Sequence, residues 1–222
     1  MNEQKSKKTK LIKLSYIVVF LTGMLIGCPV VFLTQPHLYE KSAFFVNKER
    51  SIKAEKLTNK KWACRLELPG VPNLYNVSED LYRGAQPTRE GILELKKLGI
   101  KTIVNLRSFH SERNHIKGTG LSYKSVPMKK LLRPKDGEVV RFLKIVTNKE
   151  NTPVFVHCHR GADRTGVMCA IYRIAMQNWD KSVAIAEMTK GGFGFSKRWH
   201  SLVEYVQKAN IDKIKERVGL KK

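Results

Sequence analysis

Ten consecutive residues, HCHRGADRTG (157–166), carry more reactive and cationic side chains than a protein core or an ordinary surface loop needs. They include one cysteine, two glycines and four residues that are cationic or can become so. The residues before them, TPVFVHC, are typical of a buried strand, and those after them, TGVMCAIYRIAMQ, are typical of a helix. The stretch is therefore predicted to be a loop that joins a strand to a helix.

A loop in this position is suited to hold a phosphate. Its backbone N–H groups converge on one spot, and the positive end of the following helix dipole adds to their field. Gly161 fits a position that needs a positive φ or a close approach to the ligand. Arg164 can bind two oxygens of one phosphate through its planar guanidinium group. Cys158 lies under the same amides, where the dipole and the cations favour the thiolate, a nucleophile for a bound phosphoryl group.

The spacing Cys158-x5-Arg164-Thr165, with His157 before it and Gly166 after it, resembles the signature of the cysteine-dependent protein tyrosine and dual-specificity phosphatases. Two longer segments, VSEDLYRGAQPTREGILELKKLGIKTIVNLR and PVFVHCHRGADRTGVMCAIYRIAMQNW, look like the compact, atypical dual-specificity-like phosphatases of bacteria, fungi and plants. Some relatives of that group are phytase-like enzymes that hydrolyse inositol polyphosphates. The resemblance covers about residues 71–207. A Cys-x5-Arg spacing alone is weak evidence, because arsenate reductases and sulfurtransferases share it.

The resemblance implies a role for each residue of the loop. Cys158 would be the nucleophile that forms a phosphocysteine, and Arg164 would bind and stabilise the phosphoryl oxygens. The hydroxyl of Thr165 would stabilise the leaving thiolate, while His157 and Gly166 would support the loop. The substrate phosphate would bind along His159, Arg160, Gly161, Ala162, Asp163 and Arg164. No cofactor is implied.

Metal binding is the competing interpretation for His157, Cys158 and His159. Adjacent residues at the end of a strand point to opposite sides, and no fourth ligand follows at a zinc spacing. The sequence therefore predicts no metal site.

The mechanism also needs a general acid, and Asp136, twenty-two positions before Cys158 in the segment LRPKDGEVV, is the predicted one. The alternative is that Asp136 only caps the helix that begins there. Glu138 and Asp163 are the other candidates. Asp163 would repel a polyanion if it faced inward, so we expect it to turn toward solvent or a cation.

The charge of the chain favours anionic partners. It has 42 Lys and Arg residues against 19 Asp and Glu, a net charge of +23, although an excess of lysine can also reflect solubility alone. Basic residues concentrate in two places, the predicted phosphate loop (His159 and Arg160) and the segment around the predicted acid (Lys129, Lys130, Arg133 and Lys135). The resemblance places three more arginines near the site, Arg83, Arg107 and Arg113, of which Arg107 ends a strand and is the best candidate.

These cations predict a phosphorylated anionic substrate with several phosphates, such as an inositol polyphosphate or a phosphoinositide. Phosphoproteins, including those with phosphotyrosine, are the alternative substrate. A catalytically silent phosphate-binding module is the alternative of another class, which the intact Cys158, Arg164 and Thr165 argue against. No nucleic-acid motif is present, so no specific nucleic-acid partner is expected. The oligomeric state stays open.

Helices and strands alternate after Trp62, which predicts an α/β fold: a central, mostly parallel sheet flanked by helices, as in protein tyrosine phosphatases. Thr88 is placed to cap the first helix and Gly99 to end it, and Pro127 is expected to end the second strand. The predicted helices are 87–99, 137–148, 165–177, 180–191 and 196–210, and the predicted strands are 101–107, 121–128 and 152–158.

The N-terminus reads as a membrane anchor. Residues 1–13 are basic, residues 14–34 carry no formal charge and are mostly apolar, residues 35–61 form a charged linker, and residues 62–222 form the phosphatase domain. Five lysines precede the apolar span and three cations follow it, which predicts a single-pass protein with an extracytoplasmic catalytic domain. The alternative is lipoprotein anchoring at Cys28, in the segment LIGC.

Overall fold

The structure, a computed structural model, describes residues 61–129 and 132–220. The predicted anchor at 14–34 and the linker up to residue 60 lie outside the described residues, and so does Lys130. No helix in the described ranges is long and apolar enough to cross a bilayer.

One six-stranded sheet forms the centre of the domain, with the strand order β1-β2-β3-β6-β4-β5. Strands β3, β6, β4 and β5 are parallel to one another, whereas β1 and β2 pair antiparallel. The strands are β1 (Cys64–Arg65), β2 (Tyr75–Ser78), β3 (Leu81–Gly84), β4 (Thr102–Arg107), β5 (Ser122–Met128) and β6 (Val154–His157).

The sheet is thus mixed, and its parallel part is the part that the sequence predicts. The antiparallel part follows from the short connection between β2 and β3, because two strands joined by two residues can only run in opposite directions. Each of these strands has four residues, too few to show a clear period in the sequence.

Seven helices occur in the described ranges, and they flank the sheet. They are α1 (Arg89–Lys97), α2 (Arg113–Ile116), α3 (Asp136–Thr147), α4 (Asp163–Gln177), α5 (Lys181–Lys190), α6 (His200–Lys208) and α7 (Ile211–Val218).

The sheet separates two apolar cores. Val154 and Val156 of β6 belong to the larger core, which contains residues of α3 to α7, whereas Phe155 belongs to the smaller core with residues of α1 and α2. This alternation along one strand shows that the sheet is buried on both faces, as in other α/β proteins with parallel strands.

The capping prediction for α1 is confirmed. The Thr88 hydroxyl accepts a hydrogen bond from the Gly91 N–H at 3.0 Å, and Gly99 follows the helix with φ +92°.

Two predicted helix starts were wrong, and so was the expectation that Pro127 ends a strand. Strand β5 continues through Pro127 to Met128, because β5 is an edge strand and a proline there breaks no ladder bond on the open side. Helix α4 begins at Asp163 rather than at Thr165. Helix α6 begins at His200 rather than at 196, which leaves residues 196–199 as a connection beside the phosphate loop.

Candidate active site

The four parallel strands end at one edge of the sheet, and the predicted phosphate loop lies there. Their last residues are Gly84, Arg107, Met128 and His157. The loop leaves β6 after His157 and enters α4 at Asp163. This edge, beyond the carboxyl ends of parallel strands, is where α/β folds bind their ligands.

The carbonyl groups of the loop are all occupied by donors outside the anion-binding face. The Cys158 carbonyl accepts from His157 Nδ1 at 3.2 Å, and the His159 carbonyl accepts from the Gln86 N–H at 3.2 Å. The Arg160 carbonyl accepts from Asn73 Nδ2 at 2.9 Å. The carbonyls of Gly161 and Ala162 both accept from Arg83 Nη2, at 2.7 and 3.3 Å. By contrast, the N–H groups of residues 159–164 have no hydrogen-bond acceptor within the described part of the chain. The loop therefore presents a row of unpaired donors, which suits the oxygens of a phosphate.

Arg83 lies beneath the loop as its main support. Its side chain is 1% exposed, and its Cζ lies 3.7 Å from the ring centroid of Phe193. Burial lowers the pKa of Arg83, but a guanidinium group keeps its proton in proteins, so a positive charge stays under the loop. Arg83, which the resemblance places near the site, therefore binds the loop and does not line the cavity.

Cys158 and Arg164 both lie at the cavity, and Thr165 follows Arg164 in the first turn of α4. Cys158 is a free cysteine, 3% exposed, and it lines the cavity. Arg164 also lines the cavity, with Nη1 at 3.4 Å from the carbonyl oxygens of Leu106 and Met128, at the ends of β4 and β5. The hydroxyl of Thr165 is buried and has no hydrogen-bond partner in residues 61–129 and 132–220. A buried hydroxyl without a partner is available to a reacting sulfur or phosphate.

Asp163 faces a cation. Its Oδ2 accepts from Arg160 Nη2 at 2.8 Å, and its Oδ1 accepts from the Ser196 N–H at 2.9 Å. The second bond ties the connection 196–199 to the loop. With both oxygens bound, Asp163 is poorly placed to give a proton to a leaving group.

A cavity of about 950 Å³ opens above Cys158. Its basic lining consists of Arg107, Lys129, His159, Arg160, Arg164 and Arg198, and Asp163 is the acidic residue that lines it. Its apolar lining consists of Phe109, Leu132, Trp199 and Leu202. With His159 neutral, the five Arg and Lys side chains and Asp163 sum to a net charge of +4, about twice what one phosphate group of charge about −2 requires. The cavity also has an apolar side.

Arg107 is the predicted arginine that reaches this cavity. Its side chain donates a hydrogen bond to the side chain of Gln86, whose backbone N–H binds the loop. Arg113 instead lies over the Tyr123 ring at 5.6 Å and is not part of the lining. Lys129 lines the cavity, whereas the exposed Arg133 and Lys135 do not.

The structure places Asp136 away from the cavity lining. It is the first residue of α3, and its Oδ1 accepts a hydrogen bond from the hydroxyl of Tyr205 at 2.9 Å. Burial and this contact raise the pKa of Tyr205. The Glu138 side chain accepts from the Lys135 N–H at 2.8 Å, so it stabilises the start of the helix. The role of Asp136 as general acid stays a prediction.

Several functional residues carried no motif in the sequence. Asn73 and Gln86 support the loop, and Phe109, Arg198 and Trp199 line the cavity. Arg198 is one of the cations of the segment FSKRWH, but the sequence predicted it to lie in a helix over 196–210 and gave no sign that it lines the cavity. Within the described ranges, no group of three or more His, Cys, Asp or Glu side chains is placed to hold a metal ion.

Comparison with known proteins decides the family. The family described as "DSP-PTPase phosphatase fused to NAD+ Kinase" matches residues 73–201, more than half of the chain. The chain belongs to this dual-specificity phosphatase family. The phosphatase is accordingly a cysteine-dependent enzyme that hydrolyses phosphate monoesters.

Two relatives of the phosphatase have both a sequence and a structural match. The dual specificity protein phosphatase TpbA of Pseudomonas aeruginosa is 35% identical over 152 residues, 68% of each chain. A solved structure of TpbA in complex with pTyr has a TM-score of 0.64 and 31% identity, over 72% of the phosphatase and 98% of that chain.

The inositol diphosphatase SIW14 of Saccharomyces cerevisiae is 28% identical over 151 residues, 64% of the phosphatase and 53% of SIW14. The solved catalytic core of SIW14 in complex with citrate has a TM-score of 0.60 and 26% identity, over 69% and 94% of the two chains. The mixed sheet flanked by helices is thus the fold of both relatives.

Proposed function

We propose that the phosphatase acts through a phosphocysteine on Cys158, and that its substrates are small anions with several phosphates, an inositol polyphosphate or a phosphoinositide. The observation that carries this choice of substrate is the cationic lining outside the loop. One phosphate can be held by the loop amides and Arg164. Arg107, Lys129 and Arg198 then remain for further phosphates.

In the first step, the substrate phosphate binds the N–H groups of residues 159–164 and the guanidinium group of Arg164. The Cys158 thiolate attacks phosphorus in line, and the bond from phosphorus to the ester oxygen breaks. The leaving oxygen takes a proton from Asp136, which has to part from Tyr205 to reach it. The loop amides and Arg164 stabilise the charge on the three equatorial oxygens.

In the second step, water attacks the phosphocysteine and the bond between phosphorus and sulfur breaks. The electron pair returns to Cys158 as a thiolate, which the Thr165 hydroxyl stabilises by donating a hydrogen bond. The Asp136 carboxylate takes the proton of the water, and inorganic phosphate leaves. The acid and the thiolate are then restored for the next turnover.

Phosphotyrosine is the second candidate substrate, and the apolar side of the cavity favours it. Phe109 is fully exposed, at 106% of its reference area, although its φ of +61° is costly for a bulky residue. Together with Trp199 it offers a surface on which an aromatic ring can pack. The relative TpbA was solved in complex with pTyr.

Phosphate release from a panel of substrates separates the candidates. The panel is inositol hexakisphosphate, a phosphoinositide and a phosphotyrosine peptide, each with the domain 60–222 and its Arg198→Ala and Lys129→Ala variants. We expect the highest kcat/KM on the first two, with a loss of about tenfold per variant there, as for the loss of a hydrogen bond to a charged group, and less than about twofold on the peptide. Faster hydrolysis of the peptide, unaffected by Phe109→Ala, would reject both the substrate class and the aromatic surface.

Membrane tethering through residues 14–34 is part of the same proposal. The basic residues before the apolar span and the charged linker after it support a single-pass anchor with an extracytoplasmic domain. In cells that make the full chain, the phosphatase should sediment with membranes, and protease added to spheroplasts should remove the domain. A domain that stays protected, or a chain cleaved before Cys28, would contradict this topology.

A further inference from the structure

A carboxyl group and an imidazole are buried together behind the nucleophile loop. Glu112, just before α2, has a side chain 1% exposed, and His157, the last residue of β6, has one that is 0% exposed. Glu112 Oε2 and His157 Nε2 are 3.8 Å apart. Ionisable side chains are rarely buried to this extent without a partner, so the two groups need an explanation.

His157 has one nitrogen occupied and one free. Its Nδ1 lies 3.2 Å from the carbonyl oxygen of Cys158, and since a carbonyl can only accept, Nδ1 carries a proton. Its Nε2 is buried and has no hydrogen-bond partner within the described part of the chain. Burial lowers the pKa of His157 to about 4, and the charges of Arg107, His110 and Arg164 act in the same direction. The ring is therefore neutral at neutral pH, and Nε2 is an acceptor without a donor.

Glu112 also has one buried side-chain atom without a hydrogen-bond partner in the described residues. Its Oε2 accepts from Asn105 Nδ2 at 2.7 Å, but its Oε1 is buried without a hydrogen-bond partner in the described residues. His110 Nε2 lies 3.4 Å from Oε1, and burial lowers the pKa of His110. Burial also raises the pKa of Glu112, against the attraction of Arg107. A protonated carboxyl group carries one O–H donor, which is what Nε2 of His157 lacks.

We propose that Glu112 is a positioning residue of the phosphatase: its protonated carboxyl group donates to Nε2 of His157, whose Nδ1–H then holds the carbonyl of Cys158. The terminal torsion of a glutamate is broad, so a small rotation brings the O–H into hydrogen-bond range of Nε2. The chain Glu112–His157–Cys158 fixes the tautomer of the imidazole and the start of the loop. This role rests on the proposed function of Cys158 as the nucleophile.

The test compares Glu112→Gln with Glu112→Leu in the domain 60–222. Glutamine keeps an N–H donor for Nε2, whereas leucine fills similar space without one. We expect Glu112→Leu to lose about tenfold or more in kcat with KM changed less than twofold, since a buried acceptor is left unsatisfied, and Glu112→Gln to recover most of that loss. The exposed pair Glu150→Gln and Glu150→Leu is the matched control. Equal losses in Glu112→Gln and Glu112→Leu would overturn the proposal.

The ring ¹⁵N resonances of His157 give a readout that does not depend on activity. In the unsubstituted domain they should show Nδ1 protonated and Nε2 as a hydrogen-bonded acceptor, and the Nε2 resonance should move in Glu112→Leu and much less in Glu112→Gln. An Nε2-protonated ring in the unsubstituted domain would overturn the proposal even if Glu112→Leu does not fold. Activity that survives Cys158→Ser would instead reject the proposed function, and the resonances would still test the contact between Glu112 and His157.

Discussion

Gly161 lies so close to the backbone of Gly84 that no other residue fits between the loop and β3. A Cβ at Gly161 would fall 2.3 Å from both the carbonyl carbon and the carbonyl oxygen of Gly84. Its φ of +69° disfavours side chains independently of that contact. Because the contact is with backbone, the loop would have to move as a whole to relieve it.

Gly161→Ala should therefore abolish most of the activity by displacing the loop amides. A displacement of about 1 Å at a reacting centre costs roughly 100-fold in rate, and we expect at least that loss in kcat/KM, with weaker inhibition by inorganic phosphate. Gly137→Ala is the control, since nothing lies within 4 Å of a Cβ there. Similar activity for Gly161→Ala and Gly137→Ala would show that the loop position does not depend on this contact.

Arg83→Met should destabilise the domain. The substitution keeps much of the apolar volume over Phe193 but removes the donor to the Gly161 and Ala162 carbonyls. The Ala162 carbonyl keeps the hydrogen bond from the Gly166 N–H at 2.8 Å, but the buried Gly161 carbonyl is left without a donor. This loss should lower the free energy of unfolding by about 2 kcal/mol, measured by urea denaturation. Arg113→Met, at a partly exposed cation–π contact, is the control and should lose less than about 1 kcal/mol. Equal losses for the two variants would contradict the supporting role of Arg83.

In mild acid, protonation of His157 in the unfolded chain should lower the free energy of unfolding. The pKa of His157 is about 4 in the folded chain, against about 6.5 when unfolded. Between these values the unfolded chain binds the extra proton, so the stability is fully present above about pH 6.5 and falls as the pH drops toward 4.

Urea denaturation of the unsubstituted domain and His157→Asn isolates this effect. From about pH 7.5 to about pH 4.5, the unsubstituted domain should lose roughly 2–3 kcal/mol more than the variant. The exposed His115→Asn should show no such difference. A gap between the unsubstituted domain and His157→Asn that stays constant with pH would contradict this, because it would mean that His157 has the same pKa in the folded and the unfolded chain.

Asp136→Asn tests the general acid through the leaving group. An acid that protonates the leaving oxygen matters most when that oxygen is strongly basic. We expect a loss of about 100-fold in kcat on alkyl phosphates such as inositol hexakisphosphate and much less on p-nitrophenyl phosphate, whose leaving group needs no proton. Tyr205→Phe, which frees Asp136 from its hydrogen bond, should not reduce activity on either substrate. An equal loss on both substrates in Asp136→Asn would assign Asp136 to the stability of α3.

The sequence predicted the parts of this site that lie close together in the chain. Cys158, Gly161 and Arg164 all lie in or beside the loop between one strand and the next helix. Their spacing in the sequence therefore indicates directly where they lie in the loop. The parallel strands and their helices were equally visible, because β-branched runs and helical periods are local signals.

What sequence patterns could not show depends on contacts between distant segments. Asn73 and Gln86 reach the loop from more than 70 positions away, with a separation of 87 for the bond from Asn73 to Arg160. The cavity residues Phe109 and Arg198 are placed by irregular connections without a period. The β2–β3 hairpin was missed for a different reason, because each of its strands has four residues, too few to show a period. The contact between Glu112 and His157 was missed because the two residues lie far apart in the sequence.

Trapping of the reaction intermediate tests the nucleophile most directly. The domain is mixed with substrate, quenched in acid within one turnover, digested with trypsin and analysed by mass spectrometry. We predict that the peptide containing Cys158 gains one phosphoryl group, and that the gain is absent in Cys158→Ser and persists longer in Thr165→Ala. Turnover of substrate without any phosphoryl group on Cys158, or with one on another residue, would contradict a phosphocysteine mechanism at this site.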